Sequence, residues 1–170
     1  MKETSMSLKK SMIAGALACA TALAAPAVAS AKPPADETCL ADMQTRAIAC
    51  FGSEQEAQQR QAATMPAGWT VHVILYAKTG YAGKRIRLGN SAGRCTPTTR
   101  DVDGATPNLN FGPGQNWNNR ARSFVTRNRC DAKLFGRKNF KGKRTRRYLD
   151  HSQNLAKQGL ARNLSSYKLS

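Results

Sequence analysis

The stretch "LYAKTGYAGKRIRL" at residues 75–88 is written a second time as "LFGRKNFKGKRTRR" at residues 134–147. Both copies read aromatic, four residues, aromatic, one residue, glycine, then Lys-Arg. Tyr76, Tyr81 and Gly83 recur 59 residues later as Phe135, Phe140 and Gly142. Each copy predicts a folded hairpin. Its two aromatics cover a bend and bury a large apolar area, and its glycine supplies a backbone conformation that side chains oppose. The copies also close alike. "WNNRARSF" at 117–124 and "LARNLSSY" at 160–167 put Ser123 and Ser166 in the same place. A serine hydroxyl both donates and accepts, so it can tie the end of each copy to the backbone of its hairpin.

The surroundings of the repeat read as β structure. "TVHVILYA" is rich in β-branched and aromatic residues, and "KRIRL" alternates, with Ile86 and Leu88 on one face and Arg85 and Arg87 on the other. "SFVT", "AKLF", "KRTRRYL" and "LSSYKL" follow, separated by "TGYAG", "NSAG", "DGATPN" and "FGPGQNWNN". Many short strands between turn signals predict an all-β sandwich.

The two signatures together resemble the βγ-crystallin superfamily, whose Greek-key motif reads aromatic-x-x-x-x-aromatic-x-Gly and closes on Asn/Asp-Asn/Asp-x-x-Ser/Thr-Ser. The resemblance implies two Greek-key motifs, at about 71–127 and 131–170, whose sheets pack face to face in one domain over 69–170. In calcium-binding members the closing motif supplies oxygen ligands. Asn118 and Asn119 fit that pattern, but Arg122 stands where a Ser/Thr is needed. In the second copy Ser165 and Ser166 fit, but Ala161 and Arg162 replace the Asn/Asp pair. A hard cation needs several oxygens and is opposed by a guanidinium, so weak or no calcium binding is expected, with no metal or other cofactor.

Residues 1–68 differ from the rest. "MKETSMSLKK" gives a basic start, "MIAGALACATALAAPAVA" an Ala-rich apolar run, and Ala29-Ser30-Ala31 a small-x-small cleavage pattern. These read as a secretory signal peptide over 1–31. The run is broken by Pro26, which makes it a poor bilayer span. Residues 32–68 form an N-terminal extension. Within it, Ser53 with Glu56 three positions on is a capping-box signature, which predicts a short exposed helix over about 54–64. Cys19 leaves with the signal, so Cys39, Cys50, Cys95 and Cys130 remain, an even number suited to an oxidising compartment. Three pairings are possible. Cys39–Cys50 with Cys95–Cys130 is the expected one, because each bridge then staples one region. The protein is expected to be secreted, extracellular and monomeric.

No catalytic signature is present. Asp150-His151 are neighbours in sequence, but adjacency does not make a dyad, and no nucleophile elbow or zinc-ligand spacing occurs. His72 lies in a strand-like run and reads as a packed histidine. A non-enzymatic binding protein is therefore expected.

Export, disulfides and the crystallin-like motifs together look like the secreted actinobacterial peptidase-inhibitor family that includes metalloproteinase inhibitors. That resemblance implies an extracellular protease as partner and a rigid loop entering its cleft. From Gly83 to Ser123 is 40 residues, against 24 from Gly142 to Ser166, so the first copy carries a longer connection, tethered by the expected Cys95–Cys130 bridge. Within it, Leu109, Asn110 and Phe111 are candidate inhibitory residues; the competing reading makes Leu109 and Phe111 core residues of a strand.

Charge supports a second reading. The chain has 27 Lys+Arg against 10 Asp+Glu, a net charge of +17. Arg137, Lys138, Lys141, Lys143, Arg144, Arg146 and Arg147 crowd the second copy, with Arg85 and Arg87 at equivalent positions of the first. Such a stripe suits an anionic polymer, whether cell-wall polymer, membrane headgroups or nucleic acid, including in an antimicrobial role.

Overall fold

The computed structural model describes residues 36–170. The signal-peptide reading of residues 1–31 lies outside these. Among the described residues, no helix is long and apolar enough to cross a membrane.

The fold class read from the sequence holds: two β-sheets and one short helix. The first motif contains β3 (Thr70–Tyr76), β4 (Arg85–Asn90), β5 (Gly104–Thr106) and β6 (Ser123–Thr126). The second contains β7 (Ala132–Arg137), β8 (Lys141–Arg144), β9 (His151–Ser152) and β10 (Ser166–Leu169). Each motif sends its third strand to the other sheet. β5 pairs with β10, and β9 pairs with β6. The resulting orders, β4-β3-β6-β9 and β8-β7-β10-β5, are the same path traced twice. Each sheet therefore takes strands from both motifs.

Two further strands precede the helix. β1 (Thr38–Asp42) and β2 (Ile48–Phe51) form a hairpin, and β1 adds in parallel to β4, extending the first sheet to six strands. "TCLAD" and "IACF" are too short, and too flanked by polar residues, for alternation to announce them. The helix α1 (Glu54–Thr64) follows as the capping box predicts. Ser53 Oγ accepts from Glu56 N–H at 3.1 Å, and Glu56 Oε2 accepts from Gly52 N–H at 3.1 Å.

The six-stranded sheet is apolar on both faces, which explains why "TVHVILY" reads as a continuous hydrophobic run. Val73 and Leu75 face the interior between the sheets, with Ile86, Leu88, Trp117, Phe124, Leu134 and Tyr167. Ile74 and Tyr76 face the other way, into a second cluster with Leu40, Ala57, Met65 and Trp69 beneath α1. The ladder between β3 and β4 skips one residue, His72, between Val71 and Val73. This bulge puts Val71 in the outer cluster and Val73 in the inner one. His72 is buried and its Nε2 meets Gly93 O.

The strand expected over "KRTRRYL" is shorter than its pattern suggests. β8 ends at Arg144. Thr145 turns inward, its Oγ1 accepting from Leu134 N–H at 3.2 Å, and the chain leaves the ladder until Leu149 bridges Ala132.

Candidate functional site

The two hairpin corners match in detail. Tyr76 and Tyr81 meet edge-to-face at 5.7 Å between ring centroids, and Phe135 and Phe140 do the same at 5.7 Å. Tyr81 and Phe140 both have positive φ (60° and 59°), as do Gly83 (74°) and Gly142 (76°). The side chains of Lys78 and Arg137 lie over these two glycines, 3.0 and 2.8 Å from where a Cβ would stand, and the positive φ disfavours any other residue there. The closing motifs also correspond. Asn119 N–H donates to Leu164 O (2.8 Å), and Arg162 N–H donates to Ala121 O (3.3 Å).

These corners frame the long connection from β4 to β6. The Cys95–Cys130 bridge is formed, as is Cys39–Cys50, which joins directly opposed residues of β1 and β2. Residues 96–102 form an exposed turn above the first bridge. Thr96 N–H donates to Asp103 Oδ2 (2.9 Å), Thr96 Oγ1 bonds the same carboxylate, and Asp103 N–H donates to Leu169 O (3.0 Å). Ser170 Oγ donates to Thr98 O from the end of the chain. The last residue of the turn, next to Asp103, is Val102, the exposed large apolar side chain among the described residues, 52% accessible.

Leu109, Asn110 and Phe111 lie further along the connection. Leu109 is fully buried and Phe111 nearly so, both in the core between the sheets; Asn110 is exposed. The reading of the two apolar residues as protease anchors is therefore corrected: their side chains already fill the interior. Arg46, at the turn of the β1–β2 hairpin, holds this segment. Its guanidinium donates to Asn108 O (2.8 Å) and to Asn110 O, and lies 4.0 Å from the Phe111 ring centroid.

The basic residues divide into two groups. Arg85 and Arg87, expected on an exposed stripe, are covered by the N-terminal segment. Glu54 of α1 takes Arg87 at 2.7 Å and Arg85 at 3.8 Å, and Glu37 takes Lys84 at 2.7 Å. Arg137, Lys138, Lys141, Lys143, Arg144, Arg146 and Arg147 are all exposed, on β8 and the segments flanking it. Among the described residues none of the seven lies in an ion pair.

The closing-motif oxygens are already engaged. Asn118 Oδ1 accepts from Leu109 N–H (3.2 Å), its Nδ2 donates to Asn108 Oδ1 and Asn116 Oδ1, and Asn119 Oδ1 accepts from Ser165 Oγ (3.1 Å). Glu37, Cys39 and Cys50 cluster, but the two sulfurs are bonded to each other and offer no thiolate. Asp150 and His151 pair at 2.8 Å on the open surface, and that hydrogen bond holds the Asp150 carboxyl below its ordinary range.

Comparison with known proteins bears on all of this. Residues 70–146 match peptidase inhibitor family I36. The matched segment runs from the start of β3 to just past β8 and contains the first corner, the long connection and the second hairpin. The match covers somewhat less than half of the chain, so it is this segment that is peptidase-inhibitor-like. No curated protein matches the chain. Among solved structures it is similar to a domain solved for the evolution of the eye lens βγ-crystallin fold (18% identity, TM-score 0.45, covering 62% of this chain and 89% of that one). It is also similar to the βγ-crystallin of Ciona intestinalis (18% identity, TM-score 0.41, covering 58% and 98%). A βγ-crystallin from an archaeon gives 15% identity and a TM-score of 0.41, covering 59% and 99%. The resemblance to peptidase inhibitors read from the sequence has its counterpart in the match over residues 70–146. Val102 and Arg46 were not among the sequence candidates. Val102 was findable as the lone large apolar residue between Asp101 and Asp103; Arg46 carries no local signal.

Proposed function

We propose that the protein inhibits an extracellular metalloprotease by presenting the turn 96–102, with Val102 entering an apolar subsite. The observation that carries this reading is the position of Val102. It is an exposed aliphatic side chain on a turn fixed at its base by a disulfide, inside the segment that matches the inhibitor family. Exposing a valine costs solvation in the free protein and is repaid when a cleft covers it. Fixing the turn beforehand removes ordering entropy from the binding step. The two disulfides and the export signature agree with a protein that works outside the cell.

The experiment is an inhibition titration of the purified chain against a thermolysin-like metalloprotease, a subtilisin-like serine protease and a papain-like cysteine protease. The reading expects inhibition of the first. Full activity of all three at micromolar excess of the chain contradicts it.

A further inference from the structure

The two halves of the domain are built alike but neutralised differently. On the first copy, Lys84, Arg85 and Arg87 line the outer edge of the sheet, and the N-terminal segment lays carboxylates on them, Glu37 on Lys84 and Glu54 on both arginines. β1 runs along that edge, and Arg85 N–H donates to Glu37 O at 2.9 Å. The equivalent residues of the second copy are Lys143, Arg144 and Arg146, with the same charges in the same order. Here the edge is open. β8 is the last strand of its sheet, every residue of it is exposed, and no strand covers it.

The open edge is also concave. Lys143, Arg144, Arg146 and Arg147 face Lys157 and Gly159 across a groove of about 700 Å³ that no acidic residue lines. The left-handed Gly159 (φ 66°) ends a 3₁₀ turn, Leu155–Gln158, and the Lys143 ammonium lies against it where a side chain would sit. Thr145 N–H points inward to Leu134 O (3.1 Å), so the alternation of a strand turns Arg144 N–H outward, as Arg85 N–H turns to Glu37.

We propose that this edge docks an extended acidic segment of a partner protein, by analogy with the first copy, where β1 lies beside β4 and the carboxylates come from Glu37, just before β1, and Glu54 of α1. The main chain of the segment pairs with the outward Arg144 N–H, the one residue of β8 equivalent to the β4 stretch that β1 binds, and its carboxylates pair with Lys143, Arg144 and Arg146. Main-chain pairing gives such a site its grip and the charges set its preference. The proposal stands apart from inhibition through the turn 96–102, and it favours carboxylates over phosphates because the first copy is a carboxylate site already filled.

The test uses the full chain and a peptide that copies Asp36–Asp42 with C39S. Titrated into the 15N-labelled protein, the peptide should shift the amide signals of residues 143–147 and 157–159. Neutralising it (D36N, E37Q and D42N together) should weaken binding about tenfold, as should R144Q with R146Q in the protein. Both arginines are exposed, so an unchanged Tm for that variant shows that binding, not folding, was lost. Three results overturn the proposal. One is an absence of shifts. Another is shifts scattered over other basic residues such as Arg94 and Arg100. The third is inorganic polyphosphate of matched charge binding the groove about tenfold or more tightly than the peptide, which assigns the edge to phosphate polymers.

Discussion

Ser123 and Ser166 make the same pair of hydrogen bonds in the two halves. Ser123 Oγ donates to Lys78 O (2.7 Å) and accepts from Tyr81 N–H (3.1 Å); Ser166 Oγ donates to Arg137 O (2.6 Å) and accepts from Phe140 N–H (3.0 Å). Each serine is fully buried and ties the closing strand of its motif to the hairpin that opens it. Ser123→Ala and Ser166→Ala should each leave a backbone donor and acceptor without partners, at a cost of about 1–3 kcal/mol. Chemical unfolding of the two variants checks this. Equal losses are expected, because the two environments are equal.

The turn 96–102 should depend on its bridge. Cys95→Ala with Cys130→Ala removes a link across 35 residues and should cost about 2–4 kcal/mol of stability. Hydrogen exchange should show residues 96–102 opening more than β3 or β6, and inhibition should weaken more than the loss of folded protein accounts for.

Arg46→Ala should loosen the segment 108–111 without unfolding the sandwich. The substitution removes two hydrogen bonds and the guanidinium over Phe111. A cost of about 1–3 kcal/mol follows from those bonds. Faster amide exchange at Asn110 and Phe111, with β7 and β10 unchanged, is the expected pattern.

Alkali should destabilise the fold in a defined window. All four tyrosines have phenols pushed above their ordinary value of 10.0, with burial the largest cause, and most strongly for Tyr167 in the core. The neutral phenol is the form the folded state keeps. Below the unfolded value, at about 10, both states hold the proton and stability is unaffected. Above it the unfolded chain releases protons that the native one retains, so stability falls as pH rises. Phenolate absorbance should appear together with unfolding for Tyr167, not ahead of it.

The corners, the closing serines, the helix cap and the two-motif β architecture were legible in the sequence because each is a local pattern, written twice or fixed by a short spacing. The bulge at His72 and the early end of β8 were not. Both depend on which face a neighbouring strand presents, which no window of sequence records. The β1–β2 hairpin carries no such pattern, because its strands are short and its partner, β4, lies more than forty residues on. The candidate site was half legible. The long connection and its bridge stood out by length and cysteine position. The turn that carries the exposed side chain did not, because "LNF" is more apolar than "DVD" and burial reverses that ranking: Leu109 and Phe111 went inside and Val102 stayed out. The basic stripe was visible as composition, but only the ion pairs to Glu37 and Glu54 show that its first half is filled and its second half open.

The most direct test compares inhibition constants of the native chain and a Val102→Asp variant against a thermolysin-like metalloprotease. Val102 is exposed, so the variant should fold with an unchanged Tm. Weakening by about a hundredfold is expected, since a carboxylate replaces an apolar contact in a desolvated subsite. Equal inhibition by both proteins would contradict the account.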